Sequence, residues 1–454
     1  MEKERLFSNQ KLIKLIIPLA IEQGLTILVG MCDGMMVSSV GEAAISGVSL
    51  VDMINAVILV LFAALATGGA VVTSQFLGAR QMDKARRSAG QLVLMAAGLG
   101  LVAMALCLVF AEGMMRLFFG SIEDAVMEAG LIYFRITALS FPFIALYNAG
   151  AAIFRSVGNS KVSMKVSILM NIINIAGNAL CIFVLKMGVA GVAVPTLVSR
   201  TVAAIVILAL AANPKQELYL EKAGLGHIDR KMMGNILHIG VPNACENSFF
   251  QLGRLVVVST IALFGTTETS AKAVANTLDS VGIILGPAMG LAMVTVVGQC
   301  VGAGDPEQVK YYVKKLMGWT YVLMGITNIL LIVFVDQFIG LYSSLSPETE
   351  ALAKRLVLMH SFFAIFMWPV SFVLPNALRA ANDVKFTMWV GVGSMIVFRI
   401  FGSWVLCVQM GMGATGVWIA MIIDWVCRIS FFVPRMLSGK WQSKYKPDCV
   451  QHTG

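Results

Sequence analysis

From residue 89 to 111 the chain carries no charged side chain, which is enough to cross a bilayer, since about 20 apolar residues suffice. About twelve such stretches follow one another along the 454 residues, near 13–38, 44–73, 89–111, 130–152, 162–185, 189–212, 234–263, 271–299, 316–339, 354–380, 386–408 and 413–436. A backbone in lipid must satisfy its own polar groups, so runs of this length are helices. The fold class is therefore an all-α polytopic membrane protein with twelve transmembrane helices. Charged residues make up only 13% of the chain, against about 25% in soluble domains, which excludes a soluble, disordered or fibrous protein. The first apolar stretch is long and unpunctuated, so it reads as a span rather than a cleavable signal peptide.

The 34 Lys and Arg against 25 Asp and Glu matter through their placement. Basic residues gather in alternate loops and at both ends: Lys3, Arg5, Lys11 and Lys14; Arg80, Lys84, Arg86 and Arg87; Arg155, Lys161 and Lys165; Lys215, Lys222, Arg230 and Lys231; Lys310, Lys314 and Lys315; Arg379 and Lys385; Arg435, Lys440, Lys444 and Lys446. The opposite loops hold acids such as Glu112, Glu123, Asp124, Glu128, Glu348 and Glu350. Positive charge stays on the cytoplasmic side, so a multi-pass protein of the plasma (inner) membrane with both termini cytoplasmic is expected, and no nucleic-acid partner. The 8 cysteines, Cys449 among them, form no CxxC pair, and His227, His238, His360 and His452 are too dispersed to hold a metal together.

The sequence also repeats. At an offset of 224 residues Pro18 meets Pro242, Glu22 meets Glu246, Gly41 meets Gly265, and Gln75–Ala79 meets Gln299–Ala303; Arg155 meets Arg379 and Lys161 meets Lys385. One extra residue later, Met187-Gly188 meets Met412-Gly413. Six spans per copy give both halves the same orientation, as in transporters built from parallel repeats. The expected organisation is an N-lobe over 1–212 (spans 1–6), a cytoplasmic linker loop over 213–233, a C-lobe over 234–436 (spans 7–12) and a cytoplasmic tail over 437–454. The cleft between two such lobes is the default substrate pathway, and one chain is sufficient to make it, so a functional monomer is expected.

Ionisable groups in spans are costly unless paired or facing a wet cavity. Glu22 and Asp33 lie on one face of the first span, about 16 Å apart along it. Glu22 has a counterpart in Glu246, but the position equivalent to Asp33 is Val257, so Asp33 is the candidate for binding a coupling ion. Asp52 and Asn55 of span 2 recur with acid and amide exchanged as Asn276 and Asp279; each pair lines the cleft or staples helices together. Asn171, Asn174 and Asn178 in span 5 supply carbonyl oxygens to a cation or interhelical bonds. Arg200, Arg254, Arg399 and Arg428 read as partners of buried acids or as snorkelling anchors, and the 28 methionines suit an adaptable pocket or plain core filling. No GxxxxGK[ST], HExxH, GxSxG or TVGYG segment is present, which argues against an ATPase, an intramembrane hydrolase or a potassium channel. Neither an enzyme nor a cofactor is expected, and the energy must come from an ion gradient.

These residues resemble the multidrug and toxic compound extrusion (MATE) family. The carrying segments are Pro18-x-x-x-Glu22 through Met31-Cys-Asp33-Gly, Gln75-Phe-Leu-Gly78-Ala79, Asn174–Asn178, Gly188-Val-Ala-Gly191 and Ala377-Leu-Arg379-Ala-Ala-Asn-Asp383. The resemblance implies a V-shaped pair of six-helix bundles exporting organic cations and amphiphilic drugs in exchange for H⁺ or Na⁺. In the DinF-like branch a first-span Asp forms an N-lobe cation site with polar residues of spans 5 and 6. Those positions fall on Asp33, Asn174, Asn178 and Thr196, and position 178, often an acid in that pattern, is Asn here. The acids of the NorM-like branch fall on Phe250 and Trp368, so the chain resembles the DinF-like type. Glu22, Glu246, Asp52, Asn55, Asn276 and Asp279 are candidates for the substrate cleft, and Na⁺ at Asp33 is the one metal ion considered. A lipid or polysaccharide-precursor flippase of related architecture is the alternative, requiring Arg254 and Arg399 to face the cleft. A major-facilitator transporter shares the repeat, but Gly78-Ala-Arg-Gln-Met-Asp83 fits its loop 2–3 motif poorly.

Overall fold

The computed structural model describes residues 5–120, 123–221, 228–342 and 345–444. Lys3, Lys222, Lys446, Cys449, His227 and His452, and with them parts of the expected linker and tail, lie outside the described residues. Helices dominate, and no strand occurs among the described residues. They are α1 (Asn9–Ser38), α2 (Glu42–Gly78), α3 (Met82–Phe119), α4 (Asp124–Leu139), α5 (Phe141–Ser156), α6 (Ser160–Ala179) and α7 (Ala190–Ala211). After the connection come α8 (Arg230–Ala262), α9 (Thr266–Gly282), α10 (Leu285–Gly302), α11 (Pro306–Val333), α12 (Val335–Gly340), α13 (Pro347–Trp368), α14 (Leu374–Ala380), α15 (Val384–Ser394) and α16 (Gly413–Leu437).

Local chemistry starts and breaks these helices. The hydroxyl of Ser8 accepts from the Lys11 amide at the head of α1, and the Asp305 carboxylate does the same for Glu307 and Gln308 ahead of α11, each satisfying amides that a helix start leaves orphaned. Span 4 is not one straight helix: α4 and α5 meet at Ser140 with a bend of 46°, where Pro142 opens α5 without an N–H to give. Among the described residues ten helices are long and apolar enough to cross a membrane, or eleven with this bent pair taken as one. The seventh expected span, α8, is 33 residues long; polar residues such as His238, Asn243, Glu246, Asn247 and Arg254 keep it below that apolar threshold. The eighth is divided, with the polar α9 leading into the apolar α10.

The backbone carries the repeat as clearly as the sequence. Left-handed conformations recur at Gly41 and Gly265, Arg80 and Gly304, Gly158 and Asn382, and then, one residue further apart, at Lys186 and Gly411 and at Gly188 and Gly413. The helix interruption at Phe110 recurs at Phe334, and the π-helical turn Leu180–Val184 recurs as Val405–Gln409. A π-helical segment, Met395–Gly402, lies where the offset changes from 224 to 225; a π turn is how a helix absorbs an inserted residue.

By internal contacts the chain forms two compact units, Phe7–Ala244 and Met1–Leu6 with Cys245–Gly454. The division falls inside α8 and not in the 213–233 loop, because the first half of α8 packs on α2: a Cβ on Gly68 would sit 2.6 Å from the Ile236 carbonyl oxygen. Such small-residue contacts let membrane helices approach closely. Large apolar side chains face outward, including Leu117 (81% exposed), Leu341 (77%) and Leu437 (79%), as suits a surface solvated by lipid rather than water.

Candidate functional site

In the first unit α1, α6 and α7 meet around a short polar chain. Asn178 donates through Nδ2 to Asp33 Oδ1 at 2.7 Å, and the same nitrogen lies 3.4 Å from Asn174 Oδ1. Asn174 donates in turn to Thr196 Oγ1 at 3.1 Å, and the threonine hydroxyl donates to the Val192 carbonyl at 3.0 Å. Asn174 and Asn178, four residues apart, share a helix face. Gly177 between them lets α6 approach α7, since a Cβ there would stand 2.7 Å from Pro195 Cβ. All four residues singled out for ion coupling thus belong to one hydrogen-bonded group. Asn178 Oδ1 is buried and accepts no hydrogen bond, leaving a carbonyl oxygen beside the carboxylate. Hard cations are held by oxygens, and this group offers several with one carboxylate. Among the described residues no three His, Cys, Asp or Glu cluster as a metal site.

A second acid stands nearby. Tyr133 donates to Asp52 Oδ1 at 3.0 Å, and Arg200 is in electrostatic reach of both Asp52 and Asp33. Arg200 spends a hydrogen bond on Ser140 Oγ at 2.8 Å, at the bend between α4 and α5. Two carboxylates against one guanidinium leave this region negative when both acids are ionised. Arg200 sits where the resemblance assigned nothing, and neither spacing nor the repeat signals the Tyr133–Asp52 bond.

The other acids are engaged within their own units. Glu22 is buried, accepts from Tyr147 at 3.2 Å and from Ser163 at 3.1 Å, and lies 3.8 Å from Arg155. Glu246, also buried, takes Arg379 at 2.7 Å and lies 3.7 Å from Arg428. Asn55 donates to Thr137 on α4 at a long 3.5 Å, whereas Asp279 lies 3.2 Å from His360 Nδ1 on α13. Both residues therefore reach the neighbouring helix from equivalent positions. Asp52 is exposed and Asn276 half-buried. Asp424 holds Arg428 one turn on at 3.3 Å, an i, i+4 pair legible in the sequence.

The second unit has no copy of the Asp33 group. Val257, equivalent to Asp33, is buried, at 4% exposure. Asn178 corresponds to Ser403 and Thr196 to Met421. Phe250 and Trp368 form an aromatic cluster through Phe372, with ring centroids 5.9 and 4.9 Å from it.

A model of the family described as MatE matches residues 18–180 and 242–405, once in each half. The chain is 28% identical over 436 residues to "Uncharacterized transporter YisQ" of Bacillus subtilis (strain 168), covering 94% of this chain and 92% of that protein. It is 26% identical over 445 residues to "Probable multidrug resistance protein NorM" of Thermotoga maritima, covering 96% and 94%. Among solved structures, "Outward-facing conformation of a multidrug resistance MATE family transporter of the MOP superfamily" superposes with a TM-score of 0.88 over 95% of this chain and 96% of the other, at 20% identity. At that identity the likeness speaks for the fold.

Proposed function

This chain belongs to the MatE family of transporters, and from that premise we propose that it is a secondary antiporter exporting organic cations and amphiphilic drugs in exchange for H⁺ or Na⁺. It is a membrane transporter and not an enzyme. The observation that carries the ion-coupled reading is the bonded group Asp33–Asn178–Asn174–Thr196, which joins three helices through the carboxylate whose repeat position holds Val257.

In the proposed cycle, H⁺ or Na⁺ arriving from outside neutralises Asp33. The Asn178 Nδ2 bond to it then weakens, because its acceptor has lost its charge, and α1 is freed to repack against α6 and α7. A cationic drug from the cytoplasm favours the ionised carboxylate. Only such a difference in affinity between two states shifts a conformational equilibrium. One elementary charge crossing 100 mV supplies about 2.3 kcal/mol, enough to bias the cycle.

The finer assignments follow the same reading. The polar group in the first unit and the aromatic Phe250 and Trp368 in the second favour the DinF-like branch. Alternate-loop basic residues support cytoplasmic termini in the plasma membrane, with one chain functional as a monomer. Asp52, exposed beside Arg200, is the best placed of the acids proposed to attract a cationic substrate; for Glu22, Glu246 and Asn55 their existing partners, and for Asp279 its burial beside His360, favour a structural contribution to the lobes.

Efflux of a fluorescent organic cation from proteoliposomes, under an imposed pH gradient and separately a sodium gradient, tests the reading. One gradient driving efflux identifies the ion. If neither drives any cation tested, export of cations is wrong and the flippase alternative takes its place.

A further inference from the structure

The second unit places three cations together where the first unit has none. Arg254 on α8, Lys272 on α9 and Arg399 in the π-helical segment after α15 stand within electrostatic reach of one another. Their repeat positions in the first unit are Gly30, Val48 and, within the one-residue shift, Asn174. The helices that carry them are in direct contact: a Cβ on Gly253, next to Arg254, would meet the Met395 side chain at 2.1 Å, one turn before Arg399.

None of the three has a hydrogen-bond or ion-pair partner among the described residues. Lys272 is 7% exposed, Arg399 is half-buried and Arg254 is exposed, so the group is partly enclosed by protein and open at Arg254. Arg399 Nε is buried without an acceptor, and so is the hydroxyl of Ser403 one turn on. Most of the carboxylates that could compensate are committed elsewhere. Asp424 holds Arg428 at 3.3 Å and Glu246 holds Arg379 at 2.7 Å. Glu268, one turn before Lys272, accepts from the Ala414 amide at 2.7 Å, whereas Asp279, 3.2 Å from His360, has a buried Oδ1 that accepts no hydrogen bond. Asp424 and Asp279 reach Arg399 only at longer range.

Unpaired cations in a membrane protein are expensive and mark sites that an anion completes. We propose that Arg254, Lys272 and Arg399 form an oxoanion-binding site in the second unit, which takes the phosphate or carboxylate group of an amphiphile. Arg and Lys donors suit such groups because charge-assisted hydrogen bonds to them are short and strong. The site widens the transported class from cations to amphiphiles that also carry a negative group. Only that transport consequence rests on the export reading; binding does not.

The test is calorimetric titration of the purified full chain in phosphatidylcholine nanodiscs, without any gradient, so failure of antiport leaves it interpretable. Octyl phosphate, inorganic phosphate and octyltrimethylammonium are the probes. Octyl phosphate should bind saturably and more weakly as salt rises. Lys272→Met and Arg399→Gln should each weaken it at least about tenfold, while Lys272→Arg stays within about threefold, since charge-assisted contacts carry the affinity. Inorganic phosphate showing the same dependence supports the site and assigns it to free oxoanions; binding of octyl phosphate alone supports it and assigns it to amphiphiles. Thermal stability of Lys272→Met should be unchanged or higher, because an unpaired cation on a largely buried side chain is removed. Absence of saturable octyl phosphate binding to the native chain, or binding that all three variants retain, overturns the proposal.

Discussion

The Arg379 guanidinium lies 2.7 Å from the Glu246 carboxylate, with both side chains buried in the second unit. The same relationship, 224 residues earlier, joins Arg155 to Glu22 at 3.8 Å. In each unit the pair ties the first span of the repeat to the end of the fourth, so it belongs to what the two halves share. Asp33 belongs to what they do not share, and that contrast separates scaffold from coupling.

Removing one partner of a buried pair strands the other charge, at a cost of about 3–5 kcal/mol. Arg379→Ala should therefore lower the melting temperature markedly, while the double variant Arg379→Gln with Glu246→Gln recovers much of the loss. Arg155→Ala should cost less, because Tyr147 and Ser163 still hydrogen-bond Glu22. Thermal unfolding in detergent, compared across the four proteins, measures the difference.

Gly177 is the point where α6 and α7 touch, with Pro195 offering no flexible side chain to move aside. Gly177→Val should separate Asn174 from Thr196 and cost roughly 1–3 kcal/mol as overpacking. Gly177→Ala should show the same effects in weaker form. Paired transport and melting measurements should show transport falling more than stability alone accounts for.

Asn178 contributes both the donor to Asp33 and an unclaimed buried oxygen. Asn178→Leu removes both and should reduce gradient-driven transport about tenfold or more, consistent with loss of a charge-assisted hydrogen bond worth about 1.5–3 kcal/mol. Transport rates in proteoliposomes, normalised to inserted protein, check this.

Much of this arrangement is legible in the sequence, for identifiable reasons. Hydropathy is additive along the chain, so the spans emerge, and duplication leaves matched residues, so Glu22, Glu246, Arg155 and Arg379 can be aligned before they are seen to pair. Asp33 stands out because its copy is Val257, and Asn174 and Asn178 because helical spacing puts them on one face. The bonds of Tyr133 to Asp52 and of Arg200 to Ser140 are not legible, because each joins residues at least 60 positions apart with no periodicity linking them. The bend at Ser140 and the division between α9 and α10 escape hydropathy too, since local backbone geometry leaves average polarity almost unchanged. Lys272 is hidden for the opposite reason: one lysine near a span's end reads as an anchor until its burial is known.

The most direct test of the coupling role of Asp33 compares the native chain with Asp33→Asn in proteoliposomes, measuring both substrate binding at equilibrium and efflux under the effective ion gradient. Asn is nearly isosteric but cannot be neutralised by H⁺ or Na⁺. The account predicts that Asp33→Asn folds, inserts and still binds substrate, while gradient-driven efflux falls to the level of protein-free vesicles. Efflux at the native rate and with native gradient dependence in Asp33→Asn would contradict it.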